Sequence, residues 1–269
     1  MTSILTNNGA MVALQTLRSV NNSLDETQNQ ISTGKEVGMA KDNSAVWAIS
    51  KSMESDIGAY EAVQDALDFG EATVAVASSG MEQIVETLKE MRELVVAGVS
   101  QNVDHDQIDA DLEQKKATIQ SIIDSAAFNG ANLLDSGTTT QLDVLGGLDP
   151  AADTISVLGV DSNTDIIGAL NLGLDDTNAA AITTEIDTAL AAAIGHAATF
   201  GSASNRLSDQ NDFVSKLTDS LKSGVSAMTD TNMEEASARL KALQTQQQLA
   251  VQSLTIANQS PSTLQQLFR

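Results

Sequence analysis

Both ends of this chain carry an apolar stripe at alternating three- and four-residue spacing on an almost uncharged background. From Ala10 the stripe reads Ala10, Ala13, Leu17, Val20, Leu24, Thr27 and Ile31, and Ser32-Thr33-Gly34 interrupts it. At the far end it reads Met233, Ala236, Leu240, Leu243, Gln247, Ala250, Leu254 and Ala257, with Leu264 and Phe268 completing it. That spacing marks a helical seam, because 3.5 residues per repeat keeps one face of a helix turned toward a partner. Residues 1–34 hold only Arg18, Asp25 and Glu26 as charges, and residues 236–269 hold Arg239, Lys241 and Arg269 with no acid. A helix of a soluble monomer ordinarily charges its outer face. Ends that do not are expected to be buried, and copies of the same chain are one candidate cover.

The remaining charge lies between the ends. Of 36 acids and 14 bases, residues 35–235 hold 34 and 10, so they carry −24 of a chain whose net charge is −22. A body this acidic is a poor partner for nucleic acid, which requires basic surface. It suits a hydrated outer face. Only two prolines interrupt 269 residues, which favours long helices. The chain has no cysteine, so disulfides and thiolate metal sites are excluded. The opening MTSILTNNGAM lacks the basic and apolar regions of a secretory signal, so a chain like this, if it leaves the cell, is expected to use a route that needs no cleaved signal. No run of 18 apolar residues is present, and a membrane-spanning helix is not expected.

Between the terminal stripes, periodicity predicts a very long helix from Ser44. Its stripe is Met53, Tyr60, Val63, Leu67, Val74, Ala77, Met81, Ile84, Leu88, Met91 and Val95. Asp56, Gly70 and Gly98 fall on that seam and are expected to weaken it. A third helix carries Ile108, Leu112, Ile119, Ile122 and Ala126, capped by Asp104 or Asp106 and stopped at Phe128-Asn129-Gly130. Residues 136–178 alternate in Gln141–Leu145 and Thr154–Leu158, which reads as a small β-hairpin. Helix resumes near Ala179 with Ile186, Leu190, Ala193, Ala197, Phe200, Leu207, Val214, Leu217, Leu221 and Met228. Thr229-Asp-Thr-Asn232 breaks it before the last helix, and Ser260-Pro261 is expected to kink or bound that one.

The expected fold is therefore mainly α: an antiparallel long-helix rod with a small β region at its turn. The chain runs out, turns over residues 136–178 and returns. Residues 1–40 and 233–269 then form a two-helix coiled coil, with residues 41–232 as the rod domain.

Several motifs resemble those of bacterial flagellin. Leu5-Thr-Asn-Asn-Gly-Ala-Met-Val-Ala-Leu-Gln-Thr-Leu17 is similar to the family's opening. Gln30-Ile-Ser-Thr-Gly-Lys35 stands where the family has Leu-Ser-Ser-Gly, and Ala40-Lys-Asp-Asn-Ser-Ala45 where it has Ala-x-Asp-Asp-Ala-Ala. Leu88–Val96 resembles its Arg-Glu-Leu segment, Phe128-Asn-Gly-Ala-Asn-Leu-Leu134 its Phe-Asn-Gly turn, and Gln259–Arg269 its tail. The resemblance covers roughly 1–135 and 179–269. It implies a short flagellin without large outer variable domains, a subunit that polymerises into the tubular filament for swimming. It implies as partners other copies of the chain, hook-junction and filament-cap proteins, and an export chaperone on the C-terminal helix. The self-assembly residues expected on this basis are Leu5 and the two stripes above without Thr27, Ala236 and Gln247. The ends are expected to be disordered in the monomer and ordered in the assembly. Charging Leu17, Leu24, Leu243 or Leu254 is expected to cost assembly far more than monomer folding.

The resemblance also marks a receptor-facing segment. Many flagellins engage a mammalian Toll-like receptor through the region matching Leu88, Glu90, Arg92, Leu94 and Asp111, with a basic residue where Glu90 stands here. Weak receptor activation is the expectation, with a solvated acidic face as the plainer account of Glu90. The alternative functions are a hook–filament junction protein of the same superfamily and a secreted helical adhesin.

Catalysis and cofactors are not expected. Asn102-x-Asp104-x-Asp106 with Glu113 imitates a calcium loop, but Gln107 stands where the sharp turn needs glycine, and a helix N-cap explains the acids better. His105 and His196 have no evident partner, and no nucleophile triad, phosphate loop or zinc-protease motif is present. Asn21-Asn-Ser23 and Asn258-Gln-Ser260 fit a glycosylation acceptor only by chance, since both lie on seam helices.

Overall fold

The structure, a computed structural model, describes residues 7–99, 104–174 and 178–267, with side chains as far as Gln259. Five helices and one hairpin account for most of it: α1 (Asn8–Thr33), α2 (Ser44–Gly98), α3 (His105–Ser125), β1 (Gln141–Leu145), β2 (Thr154–Leu158), α4 (Ala179–Thr229) and α5 (Met233–Leu267). A π-helical turn, Asn163–Ile167, lies between β2 and α4. The helix starts, stops and lengths follow the periodicity closely. Of the two alternatives for Ser260-Pro261, the bound is not realised: α5 runs on to Leu267. Proline removes one backbone donor and strains the preceding turn, yet a helix already propagated for many residues tolerates that single loss.

The chain divides into two compact units, one of residues 1–56 with 220–269 and the other of residues 57–219. In the second unit the α2 stripe from Val63 to Val95 is buried throughout. It packs in one core with Leu112, Ile119 and Ile123 of α3, Val144, Ile155 and Val157 of the hairpin, and Ile182, Ile186, Phe200, Leu207 and Val214 of α4. Near the end of α3 it is Ile123 that joins Leu112 and Ile119 in full burial, whereas Ile122 is only partly buried. The hairpin is antiparallel, with Asp143 opposite Ser156.

Gly70 and Gly98 interrupt the α2 stripe, but their positions are contact points. A Cβ built on Gly70 would lie 2.5 Å from Val144 Cγ2 of β1, and one on Gly98 would lie 2.7 Å from Leu174 Cδ2. Each glycine lets another segment approach the helix backbone, which offsets the loss of a seam side chain.

The Phe-Asn-Gly segment is explained by its geometry. Asn129 and Gly130 both have positive φ (49° and 85°), and Phe128 pairs with Ala131 in an antiparallel bridge. This is the primed turn that asparagine and glycine tolerate best. Just beyond it, buried Asn132 donates through Nδ2 to the Ile123 carbonyl (2.6 Å) and accepts from the Leu134 amide (2.9 Å). It thereby satisfies a carbonyl at the end of α3 that the helix itself leaves unpaired.

Candidate functional site: the paired terminal helices

The first unit is built on α1 and α5, which pack along one another. Their direction is fixed by three links. Asn7 Nδ2 donates to the Ala257 carbonyl (2.6 Å), Gln247 Nε2 donates to Asn21 Oδ1 (2.8 Å), and Lys35 forms an antiparallel bridge with Asp230. Rising residue numbers on α1 thus face falling ones on α5. Asn7 has two tasks, since its Oδ1 also accepts from the Ala10 amide (3.1 Å) and caps α1. Gly34 closes the other end of α1 in the left-handed region at φ 71°. The chain then zips onto the end of α4: Glu36 and Val37 amides donate to the Thr229 carbonyl, and the Thr231 amide donates to the Gly34 carbonyl.

Each seam residue within the described side chains, apart from Met233, is at least half-buried. Ala13, Leu24 and Thr27 of α1 and Ala236 and Ala250 of α5 are buried. Ala10, Leu17, Val20, Ile31, Leu240, Leu243, Gln247, Leu254 and Ala257 are half-buried, and Met233 is exposed. Leu5 and Phe268 lie outside the described residues, as does the side chain of Leu264. Buried Thr27 bonds its hydroxyl to the Ser23 carbonyl (2.8 Å), so it sits in the seam without an unpaired polar atom.

A second apolar set, off the seam, is left uncovered. Met11 and Val12 are each 64% exposed, Leu249 59% and Ile256 69%, with Leu14 and Val251 also open. The antiparallel register brings the 11–14 turn of α1 and the 249–256 turns of α5 to the same end of the pair. Single exposed apolar residues are ordinary, but a cluster at one level marks an interaction surface. Periodicity did not find these residues, because it ranks one stripe per helix. The signal available was the scarcity of charge around them.

The segment singled out in the second unit divides differently. Leu88 is fully buried in the core and Leu94 half-buried, whereas Glu90, Arg92 and Asp111 are at the surface. Glu90 pairs with Lys115 Nζ (2.5 Å) and Arg92 Nε with Asp187 (2.7 Å).

Asp104 caps α3, its side chain accepting from the Gln107 amide (3.3 Å). Asn102 lies outside the described residues. The histidines do have partners, supplied by the fold: His105 Nε2 lies 2.9 Å from the Gly98 carbonyl and His196 Nε2 3.1 Å from Asp165. Among the described residues no cluster of His, Asp or Glu could hold a metal, and no helix is long and apolar enough to cross a membrane.

The comparisons with known proteins match both ends of the chain to one family. The bacterial flagellin N-terminal helical region matches residues 4–139, and the bacterial flagellin C-terminal helical region matches residues 183–268. The chain belongs to the bacterial flagellin family. Flagellin of Brucella melitensis biotype 1 is 40% identical over the full length of both chains. Flagellin FljM of Caulobacter vibrioides is 39% identical over all of this chain and 99% of its own. Among solved structures, Bacillus cereus flagellin matches 55% of this chain and 88% of its own at TM-score 0.52 and 24% identity. A putative flagellar hook-associated protein from Vibrio parahaemolyticus matches 69% of this chain and all of its own at TM-score 0.54 and 14% identity, a likeness of fold. This flagellin is therefore a structural subunit of the extracellular bacterial flagellar filament. Its two family regions contain the two terminal helices and leave the hairpin and π-turn region largely between them.

Proposed function

We propose that the flagellin polymerises through its terminal pair in two layers of contact. The seam residues, from Ala10 to Ile31 and from Met233 to Ala257, hold α1 against α5 within one copy. The outer set of Met11, Val12, Leu14, Leu249, Val251 and Ile256 is buried by neighbouring copies. The observation that carries this is the exposure of those six side chains at one level of the pair.

Energetics favour order arriving with assembly. Among the described residues the pair buries alanines, Thr27 and a single large side chain, Leu24. Fully burying a leucine contributes about 1.5–3 kcal/mol, whereas fixing each residue's backbone costs about 1–2 kcal/mol. Most of a helix's stability in a protein comes from packing its apolar face rather than from its own hydrogen bonds. The ends of the free subunit are thus proposed to be loosely ordered until neighbours cover them.

Export without a cleaved signal, an export chaperone on α5, and contacts with cap and junction proteins belong to the same reading. Toward the Toll-like receptor we propose weak activation. Glu90 presents an acid already held by Lys115, and core burial withdraws Leu88 from any docking surface. Reporter cells responding as they do to a strongly activating flagellin contradict that part.

The test of the main reading is electron microscopy of purified protein added to filament fragments. Long tubular growth is expected of a filament subunit. Growth that halts after a short layer indicates a junction protein, and no growth at all indicates a helical adhesin.

A further inference from the structure

The loop after α1 folds back along that helix and encloses a groove of about 480 Å³. It is lined from α1 and the loop by Asn22, Asp25, Glu26, Asn29, Glu36 and Asp42 among others, and by no residue of α5. Lys35 and Lys41 also line it, so four acids face two bases. Lys35 turns toward Glu54 (3.7 Å), and Asp42 Oδ2 is occupied by the Gly38 and Met39 amides (3.2 and 2.9 Å). Asp25 and Glu26 are exposed and make no ion pair among the described residues.

The complementary feature is on α5. Residues 236–269 are its acid-free, net-positive stretch in a chain of net charge −22. Lys241 is exposed and without an ion pair among the described residues, while Arg239 reaches only Glu235 (3.4 Å). Ala238 and Ala242, both exposed, flank the lysine. Small side chains there let another surface come close to its stem.

The height matches. Asn21 lies opposite Gln247 and Lys35 opposite Asp230, so Asp25 and Glu26 stand level with residues 240–243 of the same pair. The groove these acids line includes no residue of α5, and neither acid pairs with Lys241 of its own copy among the described residues. Two copies side by side in the same orientation bring the groove of one to the lysine of the next.

We propose that this groove receives the Lys241 turn of a neighbouring copy, with Asp25 and Glu26 accepting its ammonium. The proposal rests on the polymerisation reading above and adds what sets the axial register of adjacent subunits. The contact is heterologous: each copy offers a groove on one side and a lysine on the other, so it repeats without limit around and along a helical lattice. Charged pairs fix register and partner choice more than they add affinity. The apolar set at the other end of the pair supplies the adhesion, and this contact selects which of several slid positions is occupied.

The test uses seeded elongation of the full-length protein with charge-reversed variants. Lys241→Glu is expected to slow elongation at least tenfold, and the double variant Asp25→Lys, Glu26→Lys likewise. The triple variant carrying both changes is expected to recover to within about threefold of wild type. Unchanged circular dichroism of each free subunit separates the effect from misfolding. Because the chain has no cysteine, a second readout is clean. A protein with Asn29→Cys, a groove residue level with 237–238, and another with Ala238→Cys, copolymerised and mildly oxidised, are expected to yield a disulfide-linked heterodimer, which requires Cα atoms within about 7 Å. Lys241→Glu elongating within twofold of wild type overturns the proposal, as does absence of the heterodimer from such filaments. Failure of the wild type to elongate overturns the polymerisation reading instead.

Discussion

At the scale of single residues, the most informative positions are those whose sequence context misleads. Gly70 reads as a weak point in a long stripe, since a helix-interior glycine costs about 1 kcal/mol relative to alanine. Its real neighbour is Val144, from a strand more than seventy positions away, and no local pattern encodes that approach. Gly70→Ala should therefore destabilise the second unit by about 1–3 kcal/mol, the usual cost of overfilling a packed site. Thermal or urea unfolding checks this, and a stabilised variant contradicts it. Leu88 misleads in the opposite sense. Its stripe position announced a core residue, and resemblance alone suggested a receptor contact. The structure buries it completely. A second residue-scale expectation concerns Asp143. Hydrogen bonds from Ser156 Oγ (2.7 Å) and then from Gln141 Nε2 hold its carboxyl below the ordinary aspartate value. A depressed folded-state pKa contributes stability above the unfolded value of about 3.9, and that contribution is lost as pH falls through the folded value. Carboxyl carbon shifts titrated by NMR should place the Asp143 midpoint below that of an ordinary aspartate. Ser156→Ala should raise it, and an unmoved midpoint contradicts the assignment.

At the scale of elements, most of the fold was legible because helices declare themselves by period. The ranges of α1, α2 and α4 and both strands follow from stripes and cap residues. Less was legible where a choice depended on packing from two sides. Ile122 and Ile123 are adjacent and equally apolar, and only the position of α3 against the core selects Ile123. The same holds for α5 at Pro261, where an established helix outlasts a local breaker. The Phe128–Ala131 turn is the element whose local chemistry and tertiary role coincide. Gly130→Ala must hold a left-handed conformation that costs an L-residue about 1–2 kcal/mol, and the buried Asn132 cap lies directly beyond it. Asn132→Ala should cost about 1–3 kcal/mol by leaving the Ile123 carbonyl unpaired. Equilibrium unfolding of the two variants checks both values.

At the scale of the whole molecule, the two units answer different demands. Residues 57–219 bury a continuous large-residue core and should be stable in the free subunit. Among the described residues the terminal pair fully buries one large side chain, Leu24, beside small ones, and leaves several large ones open, unlike a self-sufficient bundle. Seam and outer surface were separable only once the register of α1 against α5 was known. The sequence stripe reports the first, and the second emerges as what the first leaves over. Charging a seam leucine such as Leu24 or Leu254 is therefore predicted to abolish assembly while leaving the cooperative unfolding of residues 57–219 in place. Charging the outer set should do so without disturbing even the α1–α5 pair. The most direct measurement is seeded elongation of the double variant Met11→Asp, Ile256→Asp beside its thermal unfolding. The account predicts an unchanged unfolding transition and no filament growth, whereas filaments growing at the wild-type rate would contradict it.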